Sequence, residues 1–161
     1  MIELSQLLVE APEQARWEKW TTIAWQWAEL NCLQHKPGSD LSAQITSGIP
    51  ATAAVIDSAF LTWLQRRYTP LGAQKVPVPH HLYHVPHYLA YQRRQGECGR
   101  LALLIMDGMA LVNLLLIRPV WRARNPQWRM QERLLLAQIP SVTSVSRQAL
   151  ISGQRPAVFS D

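Results

Sequence analysis

A chain of 161 residues is long enough to bury the core of one domain, and 48% hydrophobic against 17% charged residues excludes a disordered polymer. No apolar run approaches the roughly 20 residues that span a bilayer, and Met1-Ile2-Glu3-Leu4 lacks the basic-then-apolar layout of a secretory signal, so no membrane partner and a cytoplasmic location are expected. The net charge of +5 is uneven: residues 1–80 hold six Lys or Arg against seven acids, residues 81–161 ten Arg against four.

In chain order, Trp17, Trp20, Ala24 and Trp27 recur at helical spacing, widened by Trp25 and Leu30, and predict a helix over residues 13–34. Glu13 and Glu18 near its start suit the helix macrodipole, and Pro37-Gly38-Ser39-Asp40 ends it. Tryptophan at this density suits stacking on bases or sugars, but a wide face packed on a core is the simpler account. Residues 41–50 read as a linker closed by Gly48-Ile49-Pro50. A second helix over 51–68 has Ile56, Phe60, Trp63 and Leu64 on its apolar face and Gln65-Arg66-Arg67 turned to water, and Thr69-Pro70-Leu71-Gly72 breaks it. Residues 1–75 thus form a helical region. Cys32 and Cys98 have no CxxC spacing and suggest neither a zinc site nor a disulfide framework.

Residues 76–99 form a connector. Val76-Pro77-Val78-Pro79 and Pro86 predict extended chain. His80, His81, His84 and His87 cluster here, and two readings stay open: imidazole ligands for a transition metal, or side chains packing and hydrogen-bonding around the entry to a core. The spacing fits no standard zinc signature. A short helix over 89–94 and the turn Gly96-Glu97-Cys98-Gly99 follow.

From residue 100 to 161 the pattern changes. Leu101-Ala102-Leu103-Leu104-Ile105-Met106 is an unbroken apolar run, as in a strand buried on both faces, and it stops at Asp107-Gly108. Met109 to Ile117 predicts a buried crossover helix, ended or kinked by Pro119. Arg118, Arg122, Arg124, Arg129 and Arg133 interleave with Trp121 and Trp128, which suits either a single-strand grip or a solvated amphipathic connection. The run Leu134-Leu135-Leu136-Ala137-Gln138-Ile139 ends at Pro140, and a helix from about Thr143 terminates at Gly153. The expected fold class is α/β: an N-terminal helical region followed by one βαβ unit of a parallel sheet, with Asp107 and Thr143 at the same sheet edge, where ligands bind in open α/β folds.

Ala102-Leu103-Leu104-Ile105-Met106-Asp107-Gly108, with Ile139-Pro140-Ser141-Val142-Thr143-Ser144-Val145-Ser146-Arg147 and Gly153, resembles the PglZ family. These are phosphatase-like components of bacterial BREX phage-defence systems, within the alkaline phosphatase superfamily. Pro79-His80-His81-Leu82-Tyr83-His84-Val85-Pro86 is most similar to the PglZ of the type 3 systems. The resemblance implies Asp107 as a metal ligand and Thr143 as nucleophile and second contact to a divalent metal such as zinc; Arg147, one helical turn after Thr143, is spaced to reach a phosphate oxygen. It also implies partners among BREX components, a methyltransferase included.

That chemistry needs a hydroxyl activated by metal and cations to absorb phosphoryl charge. Free N–H groups at a helix start favour an anion near Thr143. Each piece also has a plainer role: Asp107-Gly108 is a turn signal, and Thr143 or Ser144 is a helix-capping residue. A two-metal centre needs more ligands than these, and the family places its remaining Asp and His ligands well beyond the nucleophile. The chain is therefore expected to match the N-terminal part of a PglZ protein, with an incomplete sheet and no activity alone. It is expected to be aggregation-prone or to need a partner chain that completes the sheet. The alternative function is a non-catalytic interaction or nucleic-acid-binding module, the latter using the arginine-rich second half.

Overall fold

The computed structural model describes residues 14–36, 38, 43–73, 78–97 and 99–156. Sequence signals at residues 1–4, Glu13, Pro37, Ser39, Asp40, Val76, Pro77 and Cys98 lie outside them. Five helices are described: α1 (Trp17–Gln34), α2 (Ala43–Ala73), α3 (Val85–Arg94), α4 (Leu111–Arg124) and α5 (Thr143–Ser152). A 3-10 turn over Leu82–His84 leads into α3. No helix among the described residues is long and apolar enough to cross a membrane.

The expected βαβ unit is absent: the described residues contain no strand, and the only isolated bridge is a parallel one between His81 and Leu136. The first apolar run has no ladder partner, and five of its six side chains are exposed large hydrophobics, Leu104 at 80%. The second run does extend, but Leu136 N donates to His80 O at 2.8 Å, so its neighbour is the proline-histidine segment. The physical reason is that an unbroken apolar run reads as a doubly buried strand only where layers cover both faces. Here none of its residues is buried.

Prolines mislead in the same way. From residue 43 onward the predicted linker and second helix are one helix, because α2 runs through both Pro50 and Pro70. Proline removes one donor and crowds the carbonyl four residues back, which bends a helix but ends it only if nothing holds the continuation. Ile49 beside the first proline and Leu71-Gly72 after the second are buried, and this burial holds the helix together. Pro86 does not exclude a helix either: it lies in the first turn of α3, where the missing N–H would have had no partner. The helix predicted over 109–117 runs instead from Leu111 to Arg124 through Pro119 and buries no residue. Its start is tied by Asn113, whose Oδ1 accepts from the Ala110 N–H at 2.9 Å.

The chain divides into two compact units. The first takes its described residues from Met1–Arg67 and Gly108–Met130, hence α1, most of α2, and α4. α1 packs against α4, and Arg118 lies 5.7 Å from the Trp25 ring centroid. Its centre is aromatic. Trp63, 1% exposed, stacks on Trp17 at 5.8 Å and on Phe60 at 5.7 Å, while Trp20 meets Phe60 edge-on at 5.0 Å. The Trp63 indole N–H donates to Ala15 O at 2.7 Å, so the ring is buried without stranding its one polar atom. The predicted stripe is therefore largely a packing face: Trp20 is buried and Trp17 stacked, with Ala24, Trp25 and Trp27 partly covered.

The second unit takes its described residues from Tyr68–Asp107 and Gln131–Asp161. It holds the last turn of α2, the histidine segment, α3, the two apolar runs and α5. α5 packs on the 3-10 turn and on α3, with Ala149 fully buried. Gly153 ends α5 with φ +69°, in the left-handed region glycine tolerates best, and its carbonyl lies 2.9 Å from His87 Nε2.

Candidate functional site

The resemblance points to Asp107 and Thr143, and helical spacing adds Arg147. Asp107-Gly108 is a turn, with φ +68° at Gly108. Thr143 is the first residue of α5 and is exposed. It does not cap the helix: Val142 holds that position, and no side-chain hydrogen bond caps the end. Arg147, one turn further on, donates from Nη2 to Asp107 Oδ2 at 2.5 Å, with the two side chains 57% and 42% exposed. The structure thus joins the expected phosphate contact to the expected metal ligand.

An arginine on this carboxylate competes with a cation for the same oxygen. Among the described residues no three of His, Cys, Asp and Glu gather to hold a metal ion. Asp107 and Thr143 alone do not fit a two-metal centre.

The histidine segment is the more built place. His81, at 1% exposed, and His84 are buried around the C-terminal turn of α2, whose last carbonyls lack intrahelical donors. Side chains supply what the helix cannot. Gly72 O accepts from Tyr83 Oη at 3.0 Å, His84 Nε2 at 3.2 Å and Arg155 Nη2 at 2.7 Å. Tyr68 O accepts from His81 Nε2 at 3.0 Å. Because a carbonyl only accepts, both imidazoles carry their proton on Nε2. The Nδ1 of His84 then accepts from the backbone N–H groups of His80 and His81, at 3.2 and 3.4 Å.

Burial pushes the His81 imidazole down from 6.5 to about 4, against the hydrogen bond to Tyr68 O; nearby His84, His80 and Arg155 push the same way. His84 is lowered too, first by burial. Burial raises Tyr68, whose hydroxyl donates to Ala137 O at 3.0 Å. Of the two readings left open, packing and hydrogen bonding around a core is the one observed for His81 and His84.

Sequence reasoning missed Gln138 and Arg155. Gln138 sits in a run read as continuous apolar strand, yet Leu136 and Gln138 are buried while Ala137 between them is exposed. That period-two alternation in burial puts the carboxamide on the inner face, and an almost continuous apolar run gives no sign of it in the letters. Arg155 follows Gly153 as one arginine among ten in its half, with no local pattern to mark it.

Compared with known proteins, the chain matches no family model, no curated protein and no solved structure.

Proposed function

We propose that this chain corresponds to the N-terminal part of a PglZ-like protein of a cytoplasmic BREX phage-defence system, non-catalytic on its own, acting through other components such as a methyltransferase. The observation that carries this reading is the Arg147–Asp107 contact, which draws together the two separate segments that bear the resemblance. The histidine segment, third bearer of the motif, lies in the same compact unit.

The test is co-expression with the DNA methyltransferase of such a system. Co-purification is expected; failure of the two chains to associate counts against the reading. Hydrolysis of an aryl phosphate with added zinc or manganese is expected to stay at background, with Thr143→Ala indistinguishable from the unaltered chain. Turnover abolished by that substitution would overturn the non-catalytic half of the proposal.

A second reading has its own observation. Trp128 is 58% exposed, and Arg122, Arg124 and Arg129 are exposed with it, so the arginine-tryptophan stretch does not serve only as cover for a core. Exposed cations beside an exposed ring can grip a single strand by charge and stacking. Salt-dependent binding of single-stranded DNA, lost in Arg122→Ala with Arg124→Ala, would favour this module.

A further inference from the structure

Beside the C-terminal turn of α2 lies a cavity of about 200 Å³, within the second unit and apart from Asp107 and Thr143. Its walls include the side chains of Tyr68, Tyr83 and Ile139, and its polar groups include those of Gln138, His81 and Arg155. Gln138 and His81 are both 1% exposed. Two of their atoms find no partner among the described residues: Gln138 Nε2, a donor, and His81 Nδ1. Since His81 spends its proton on Tyr68 O, that Nδ1 is an acceptor.

Arg155 adds charge. Its guanidinium lies 5.6 Å from the Tyr83 ring centroid and commits one nitrogen to Gly72 O, but it pairs with no carboxylate among the described residues. An orphaned buried polar atom costs about 1–3 kcal/mol, so two in one wall are an expensive arrangement unless something fills it.

From these groups we infer that the cavity binds a small carboxylate that also carries a hydroxyl. The carboxylate answers the Arg155 fork and the Gln138 amide, the hydroxyl donates to His81 Nδ1, and a short apolar body lies between the two tyrosine rings and Ile139. One guanidinium matches a monoanion better than a doubly charged phosphate. At the roughly 30 Å³ that a water occupies in the liquid, the space equals about seven waters, which suits an acid of comparable heavy-atom count.

The probe is 2-hydroxy-3-methylbutanoate, titrated into the full chain at neutral pH and followed by calorimetry and by the side-chain amide signals of Gln138. Millimolar binding is expected, with those signals shifting. Arg155→Gln, a change at an exposed position, should weaken it about tenfold, the loss of one charge-assisted fork. Gln138→Glu should abolish it by placing a carboxylate beside Arg155 in advance. 3-Methylbutanoate, which lacks the hydroxyl, should bind more weakly than the hydroxy acid. Equal affinity for the two acids overturns the inference, as does tighter binding of inorganic phosphate. Undiminished binding by Arg155→Gln, or no shift at Gln138, does so as well. Because Asp107, Thr143 and Arg147 are not among the residues lining the cavity, the outcome is separable from that of the phage-defence reading.

Discussion

The two compact units are held by different chemistry. The first is centred on rings: Trp17, Trp20, Phe60 and Trp63 meet at 5.0–5.9 Å, and Trp63 spends its single N–H on a backbone carbonyl. The second is centred on two imidazoles and a phenol that answer the open end of α2. An aromatic core draws on area removed from water and is nearly indifferent to pH. A polar core depends on every donor meeting an acceptor and on keeping its histidines neutral. The same chain therefore contains one part that fails by losing volume and another that fails by losing a proton balance.

The largest expected effect is on the ring-centred side. Trp63→Ala should cost about 3–5 kcal/mol in denaturant unfolding, because it empties the middle of the cluster and strands the carbonyl of Ala15. A loss below about 1 kcal/mol would mean that the rings are not the core.

Next comes the close approach on the polar side. A Cβ at Gly72 would run into the Tyr83 hydroxyl, which is anchored on that residue's own carbonyl. Gly72→Ala should therefore destabilise by about 1–3 kcal/mol of overpacking, although alanine is the better helix former by about 1 kcal/mol. Adding Tyr83→Phe should recover much of the loss.

The pH response separates the units most cleanly. Between 6.5 and about 4 the unfolded His81 binds a proton that the folded one refuses, so the folded state loses ground as pH falls through that window. Stability from this group is fully present above about 6.5. His84 acts in the same direction. Urea midpoints should fall from neutral to mildly acid pH in the unaltered chain, and His81→Gln should flatten that dependence. The smallest effect is at the surface: breaking the exposed Arg147–Asp107 pair with Arg147→Ala should change stability by less than about 1 kcal/mol, and less still in high salt.

The same contrast governs what the letters disclose. α1 was legible because a tryptophan stripe at helical spacing is a pattern of type, and the end of α5 because Gly153 marks a left-handed stop. The sheet was misread because Leu101–Met106 carries the composition of a covered strand without the cover, which lies outside any local window. Pro50 and Pro70 read locally as breaks because a proline's local cost is plain, whereas the burial that outweighs it is tertiary. The site divides likewise. The histidines announced themselves by clustering, but their role depends on the carbonyls of Tyr68 and Gly72, and backbone acceptors leave no mark in a sequence.

Leu101–Met106 has a practical consequence. A water-facing run of leucine and isoleucine held in no helix, with Leu104 at 80%, is a template onto which the same run of another molecule can dock in register. Such stacking grows by addition, so purified material should leave solution as cross-β deposits once its concentration rises. A lysine in place of Leu104 would put charge on that growing edge and hold the molecules apart.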